Sequence, residues 1–446
     1  MRIRFPKGFY SDIRIEDTKQ TDIALENGDV RQNRVRSSCG ALIRLYDGSR
    51  WYYQATTQLE MIQTELDQLA QMAKRPVNIH SDSVVKVLES NKEKRMRYQD
   101  QSVQNIDRSE KLALLKDYDR LCRAYPEISM YKSYYTDNVT IKTFLSSKGA
   151  DLQFDTQSAA VAIRYNLTVN GKLGRGGKET VKTSFPGLAG QEQTIRAEIE
   201  KDITFVRDAV PVEPGVYTCV LAPVVTGVFA HESFGHKSEA DFMIGDETMM
   251  NAWAIGSVVG SENLNIMERG DCEGNGYVPF DDEGTRARLN YIIQNGRLSG
   301  RLHSSVTAAS LHENLTGNAR AVNFEFEPIV RMTNTYIGGG TLTFDELIRP
   351  VRNGLFIEDL HHGSGMTTFT IAPHRAYRIR DGAIAEPVQI SVISGNVMET
   401  LHHIDGFSRD VEFFSFAMGG CGKMEQFPLR VAFGGPYIRV NGIVAQ

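Results

Sequence analysis

The side chains best suited to chemistry lie in one short stretch, Ala230-His231-Glu232-Ser233-Phe234-Gly235-His236, with Glu239 and Asp241 just beyond it. Two neutral imidazoles can hold a divalent ion such as zinc. A carboxylate beside the first of them could take a proton from water activated at that ion. In the common zinc peptidase motif the histidines are four apart and share one face of a regular helix. Here they are five apart, which at about 3.6 residues per turn leaves them about 140° out of line. Both reach one ion only if the helix widens into a π turn or breaks between them. Gly235 stands where such a distortion costs least.

A catalytic zinc usually takes a third protein ligand and keeps a position open for water. Glu239, three residues after His236, can share a helix face with it, and Asp241, His361, His362, His402, His403 and Cys421 are further candidates. Each also has an ordinary reading as a surface carboxylate, a loop histidine or a small buried thiol. Cys421 is set apart by its surroundings, Gly419-Gly420-Cys421-Gly422-Lys423. Flanking glycines let the backbone approach an ion closely, and Lys423 would favour the thiolate. Spacing alone leaves the third ligand open.

The elements that must position these residues follow from apolar periodicity. Residues 10–53 read as a strand meander, with alternation in Asp12-Ile13-Arg14-Ile15-Glu16 and turns at Asn27-Gly28 and Asp47-Gly48. A helix follows, with Thr57 and Glu60 as a capping box and Leu59, Ile62, Leu66, Leu69 and Ala73 at helical spacing. The short basic run 92–97 reads as a solvated linker face. A second helix covers about 109–123, and strands return over 130–145 and 159–169 around Asn170-Gly171. The glycine-rich run 171–178 lacks the spacing of a phosphate loop and reads as a flexible hairpin tip. A third helix over about 191–209 ends at Pro211-Val212-Glu213-Pro214-Gly215.

Blocks of strands and helices, rather than strict alternation, argue for an α+β fold over a doubly wound parallel sheet. The expected organisation is an N-terminal domain over 1–210, built of antiparallel sheets with helices, and a β-rich C-terminal domain over 211–446 carrying one metal-site helix. The latter opens with a strand at 216–221 and Pro223 at a helix start, and short strands flank Asn295-Gly296 and Asp381-Gly382.

A chain of 446 residues can bury a sizeable core, and a net charge of -5 carries no signature of a nucleic-acid partner. Cys39, Cys122, Cys219, Cys272 and Cys421 are few, odd in number and scattered, the pattern of a reducing compartment. Met1-Arg2-Ile3-Arg4-Phe5-Pro6 has no signal-peptide core, and the uncharged run 214–230 is broken by Pro223 and short of a membrane span. The expectation is a cytoplasmic, soluble protein without membrane association.

Several blocks together carry a family resemblance. They are His231-Glu232-Ser233-Phe234-Gly235-His236 with Glu239 and Asp241, Asp281-Asp282-Glu283-Gly284-Thr285, Thr316-Gly317-Asn318-Ala319-Arg320 and Arg331-Met332-Thr333-Asn334-Thr335. Gly419-Gly420-Cys421-Gly422-Lys423 and Gly434-Gly435-Pro436 complete the set, with a looser match at Ser11-Asp12-Ile13-Arg14. The chain resembles the TldD/PmbA family of metallopeptidases, long labelled modulators of DNA gyrase, nearly end to end.

The resemblance implies zinc held by His231, His236 and Cys421, with Glu232 as general base. It implies the branch that keeps the zinc motif, acting on unfolded or short peptides as a homodimer or as a heterodimer with a motif-less homologue. Lys237-Ser238 and His361-His362-Gly363 depart from the family pattern without replacing an implied ligand, and both could alter access or substrate preference. Arg320, Arg331 and Asn334 could hold an extended substrate or a dimer interface, and for the two arginines a structural ion pair is the ordinary reading. The rival reading is a non-catalytic regulatory partner, for instance of a topoisomerase, with a structural metal. Glu232 argues against it, because a structural zinc needs no adjacent base and closes its fourth position with protein. A hydrolase of another amide or ester is the remaining alternative.

Overall fold

The computed structural model describes residues 3–74 and 78–446, so Met1 and Arg2 of the stretch read for a signal sequence lie outside the described residues. Apolar alternation produces long strands in the first half: β1 (Tyr10–Glu26), β2 (Asp29–Tyr46), β3 (Trp51–Thr56), β4 (Lys92–Arg95), β5 (Ile128–Ser146), β6 (Asp151–Val169) and β7 (Lys172–Lys182). They form one seven-stranded sheet in the order β3-β2-β1-β5-β6, with β4 and β7 sharing the far edge of β6. The two strand blocks therefore join, because β1 pairs with β5 along Asp12 to Glu26. The hairpin turns Asn27-Gly28, Asn170-Gly171, Asn295-Gly296 and Asp381-Gly382 all place both residues at positive φ, the turn whose twist suits paired strands.

Helices α1 (Ile62–Met72), α2 (Arg108–Asp119) and α3 (Glu192–Asp208) cover this sheet through the apolar faces expected of them, including Ile62, Leu66, Leu115, Tyr118, Ile195 and Ile199. Three local expectations change. The α1 capping box does not form, because a 3-10 turn over Leu59–Met61 moves the helix start to Ile62 and no side chain caps it. The run 92–97 is not a linker: Lys92–Arg95 pairs in parallel with β6, and Glu93 neutralises Arg95 and Arg286. The glycine-rich run is strand β7, not a tip. A Cβ at Gly174 would meet Val206, and one at Gly176 would meet Asp202, both on α3, so these glycines let helix and strand approach.

In the second half, β8 (Gly215–Leu221) leads into helix α4 (Pro223–Ala230), and β9 (Asn353–Gly365), β10 (Thr368–Arg380), β11 (Ile393–Asn396) and β12 (Ile438–Ala445) follow. Pairing runs β9-β8-β12-β11-β10, and β10 pairs back to β9, so five strands close on themselves. A separate six-stranded sheet contains Ile266–Arg269, Asn334–Ile337, Ala432–Gly435 and, at its edge, Glu412–Phe414. Short helices beyond α4 are also present, Ser305–Leu311 among them. The whole is α+β and mainly antiparallel. No helix among the described residues is long and apolar enough to cross a membrane.

Helix α4 is apolar all round and almost wholly buried, which suits an element packed on every side. Phe229 rests edge-on against Phe234 (5.5 Å) and Phe369 (5.0 Å), fixing the helix over the closed sheet. On the opposite side Gly227 allows contact with Ala432–Gly435, since a Cβ there would stand 2.7 Å from Gly434 N and 2.9 Å from Gly434 Cα. Both neighbours are backbone and cannot swing aside. Gly227→Ala should therefore lower stability by about 1–3 kcal/mol in urea unfolding. A loss below about 0.5 kcal/mol would mean that helix and strand separate freely.

Candidate metal centre

Helix α4 does not stop at Ala230. Residues His231–Gly235 continue it as a π turn, in which the His236 N–H donates to the His231 carbonyl five residues back, and a 3-10 turn over His236–Ser238 ends it. The extra residue brings the two imidazoles to one side, as their spacing demands. Gly235 is what lets the wide turn seat: a Cβ there would lie 1.9 Å from Met332 Sδ. Ser238 Oγ donates to the Gly235 carbonyl at 2.7 Å and holds the turn from its far end.

The His231 and His236 ring centroids are 5.3 Å apart at 80°, and His236 Nε2 lies 3.5 Å from Cys421 Sγ. One donor atom from each of the three residues falls within 4.8 Å of the others, the one such group of three His, Cys, Asp or Glu found among the described residues. Zinc bonds of about 2.0–2.1 Å to nitrogen and about 2.3 Å to sulfur put tetrahedral N and S ligands about 3.6 Å apart, so the His236–Cys421 separation already fits. His231 Nδ1 is buried without a hydrogen-bond partner. Two nitrogens and a sulfur in this geometry match the donor preferences of zinc.

Cys421 arrives on a short strand, Cys421–Lys423, paired with Gln426–Leu429. Gly420 has φ +155, and a Cβ there would sit 2.4 Å from the Leu429 carbonyl oxygen. The buried Arg331 donates from Nη2 to the Cys421 carbonyl (2.8 Å) and from Nη1 to that of Gln426 (3.2 Å), stapling both strands. Arg320 likewise donates to the carbonyls of Met332 and Arg430, and Asn334 to those of Arg269 and Gly276. These three residues therefore hold backbone, and their side chains are buried.

The charges are mutually adjusted. Burial pushes the Cys421 thiol up, but the hydrogen bonds and charges of His231 and His236 outweigh it and bring it down to about 5. Burial presses His236 down, yet Cys421 and Glu239 raise it to about 10, and His231 is raised in the same way by Cys421 and Glu232. Lys423 does not serve as the counter-charge to the thiolate expected from its position. Its ammonium turns to Glu239 (3.0 Å) and Asp241 (2.7 Å). The carboxylate of Glu239 lies 3.4 Å from His236 Nδ1, and burial raises Glu239 less than His236 and Lys423 lower it.

Glu232, in the same turn as the imidazoles, is half-buried and lines a cleft of about 1010 Å³. The cleft is also walled by Gly419 and Gly420 beside the cysteine, by Phe416 and Phe427, and by residues 175–182 of β7. His361 and His362 line it as well, so this departure from the family pattern sits on the cleft wall. Of the other third-ligand candidates, His361 stacks near His374 (4.7 Å), while His402 and His403 are exposed at a helix end. Met332, Arg331 and Lys423 are the supporting residues whose roles the sequence did not reveal. All three stand in blocks that carry the family resemblance, but Arg331 was read toward a substrate, an interface or an ion pair and Lys423 toward the thiolate, and Met332 was given no role.

Comparison with known proteins places these features. Residues 214–446 match the PmbA/TldA metallopeptidase C-terminal domain, and residues 11–76 match PmbA/TldA metallopeptidase domain 1. A metalloprotease of Methanothermobacter thermautotrophicus is 30% identical, covering 97% of this chain and 94% of its own length. A zinc metalloprotease TldD homolog of Saccharolobus solfataricus is 31% identical, covering 71% of each. The crystal structure of TldE from Thermococcus kodakarensis shares the fold, with a TM-score of 0.78 at 16% identity over 98% of this chain and 96% of that one.

The shifts at Cys421 and His236 make a testable pattern in metal-free protein. The thiol is held low, so its contribution to stability is full above the ordinary thiol range and is lost as pH falls through about 5. His236 is held high, so its contribution is full below the ordinary imidazole range and is lost as pH rises through about 10. Chelator-treated protein at neutral pH should show a thiolate ultraviolet band that disappears on acidification through about 5 and is missing in Cys421→Ser. A band that appears only in the ordinary thiol range would contradict the imidazole–thiolate cluster.

Proposed function

The chain belongs to the PmbA/TldD metallopeptidase family, and from that premise we propose that it is a zinc-dependent peptidase acting on unfolded or short peptides. His231, His236 and Cys421 are the residues that would hold the zinc, and Glu232 is the general base. One observation carries the reading: Glu232 faces the cleft from the same turn that gathers the imidazoles beside Cys421. When bound, the zinc supplies a Lewis acid that polarises the scissile carbonyl and acidifies water.

The chain's own residues do the rest. Glu232 accepts the proton of the attacking water and returns it to the leaving amine. The π turn keeps this carboxylate beside the imidazoles, so base and ligands move as one body. Arg331 fixes the cysteine strand through its carbonyl. An extended peptide entering the cleft meets two sheet edges, at β7 and at Glu412–Phe414. Pairing with such an edge uses main-chain hydrogen bonds and explains hydrolysis with little sequence preference.

Two units, 1–210 and 211–446, complete the proposal, with the cleft between them. The partner is a second copy or a motif-less homologue. A cytoplasmic setting suits five free cysteines. The position of Glu232 weighs against a purely regulatory role with a closed structural metal.

The decisive experiment measures zinc per chain and hydrolysis of an unstructured peptide for parent, Glu232→Gln and Cys421→Ser. Glu232→Gln should keep its zinc and lose about 10²–10⁴-fold in kcat/KM, whereas Cys421→Ser should lose zinc. Parent-like turnover by Glu232→Gln would remove the base from the mechanism.

A further inference from the structure

We infer that Lys423 is a positioning residue for the metal centre: acting through Glu239, it ties the imidazole of His236 to the strand that carries Cys421. The inference rests on the reading of His231, His236 and Cys421 as one ligand set. Lys423 is 3% exposed and Glu239 0%. The ammonium lies 3.0 Å from Glu239 Oε2, 2.7 and 2.8 Å from the two oxygens of Asp241, and donates to the Val330 carbonyl at 3.0 Å. All of its donors are spent inside the protein.

The same oxygen of Glu239 lies 3.4 Å from His236 Nδ1. An imidazole held by a carboxylate at Nδ1 keeps its proton there and presents Nε2 to an ion. That Nε2 is the atom 3.5 Å from Cys421 Sγ. Cys421 and Lys423 share the strand Cys421–Lys423, so the chain of contacts closes on itself: sulfur, strand, ammonium, carboxylate, imidazole and back to sulfur. His236 and Cys421 are 185 residues apart in sequence. Their ring-to-sulfur geometry must therefore be set by tertiary contacts, and this loop is one that joins them. A salt bridge serving stability alone has no reason to contact a ligand at one end and share a ligand's strand at the other.

The test compares parent, Lys423→Met and the double variant Lys423→Met/Glu239→Gln. Zinc affinity is measured by competition with a chromogenic chelator, and the geometry is read from the cobalt(II) spectrum with its thiolate charge-transfer band. Lys423→Met is expected to weaken zinc binding about 10–100-fold and to alter the thiolate band. The double variant removes the fully buried Glu239 charge together with its counter-charge, leaving only the part-exposed Asp241 without its ammonium, and keeps the protein folded should the single variant not fold; it is expected to lose at least about tenfold. Affinity within about twofold of the parent with an unchanged cobalt spectrum, in either folded variant, overturns the inference. Failure of both variants to fold also overturns it, making Lys423 a residue of stability. A parent that binds neither ion removes the metal-centre reading itself, an outcome distinct from a zinc-binding parent with indifferent variants.

Discussion

A helix made to turn through five residues instead of four does not stay open by itself, because its hydrogen bonds are longer and its axis less well packed. Here the turn His231–Gly235 is held from three sides. Met332 occupies the space a side chain at Gly235 would need, Ser238 engages the Gly235 carbonyl, and Phe229 with Phe234 fills the core beneath. The cost of the wide turn is thus met by packing that the preceding helix already makes. Without it the imidazoles would diverge and Glu232 would leave the cleft wall, so the remaining features of the site follow from this one distortion.

Electrostatics supplies the second constraint. A thiolate, two imidazoles, two carboxylates and an ammonium lie within a few contacts of one another, mostly out of water, and each opposes a neighbour of opposite sign. Single buried charges are costly, whereas alternating ones offset that cost. The donors are also held by protein contacts, His236 by Glu239 and the Cys421 strand by Arg331. Cys421 and Glu239 raise His236 to about 10, so a cation arriving there competes with a proton.

Much of this was legible beforehand where the chemistry is local. The π turn follows from two histidines that a regular helix cannot align and a glycine beside the second. The hairpins follow from Asn-Gly and Asp-Gly pairs, and all four that place both residues at positive φ lie where alternation put them. Cys421 was different. Sequence offered several third ligands, and only the resemblance to a family singled it out; the fold then set its sulfur against His236. Arg331 and Lys423 were noticed but assigned other partners, because charge and neighbourhood in sequence do not say where a long side chain ends; only tertiary structure reveals that their donors end on buried carbonyls or carboxylates. The glycines of β7 were misread because their purpose, room for Val206 and Asp202 of α3, lies on another element.

The blocks that carry the family resemblance do not all serve chemistry, and the structure separates the two duties. Asp282 accepts from Lys142 (2.6 Å) and the Ala321 N–H, Glu283 faces Arg44 (3.2 Å), and Arg44 pairs with Asp12 (2.7 Å). Arg14 donates to the carbonyls of Asn323 and Phe326. Ser11-Asp12-Ile13-Arg14 and Asp281-Asp282-Glu283 are thus two faces of one buried stitch between the first sheet and the second half. Across the cleft, Arg375 joins Glu198 and Asp202 of α3 to Glu358 and Asp359 of β9. Ion pairs this buried contribute little net stability but penalise any other arrangement heavily. Their effect is to fix how far β7 stands from the turn that carries Glu232, and so the width of the cleft. Much of the remaining wall, His361, His362, Phe416 and Phe427, belongs to stretches outside those blocks. The stitches hold the cleft at one width, which leaves the choice of what enters it to the side chains on its walls.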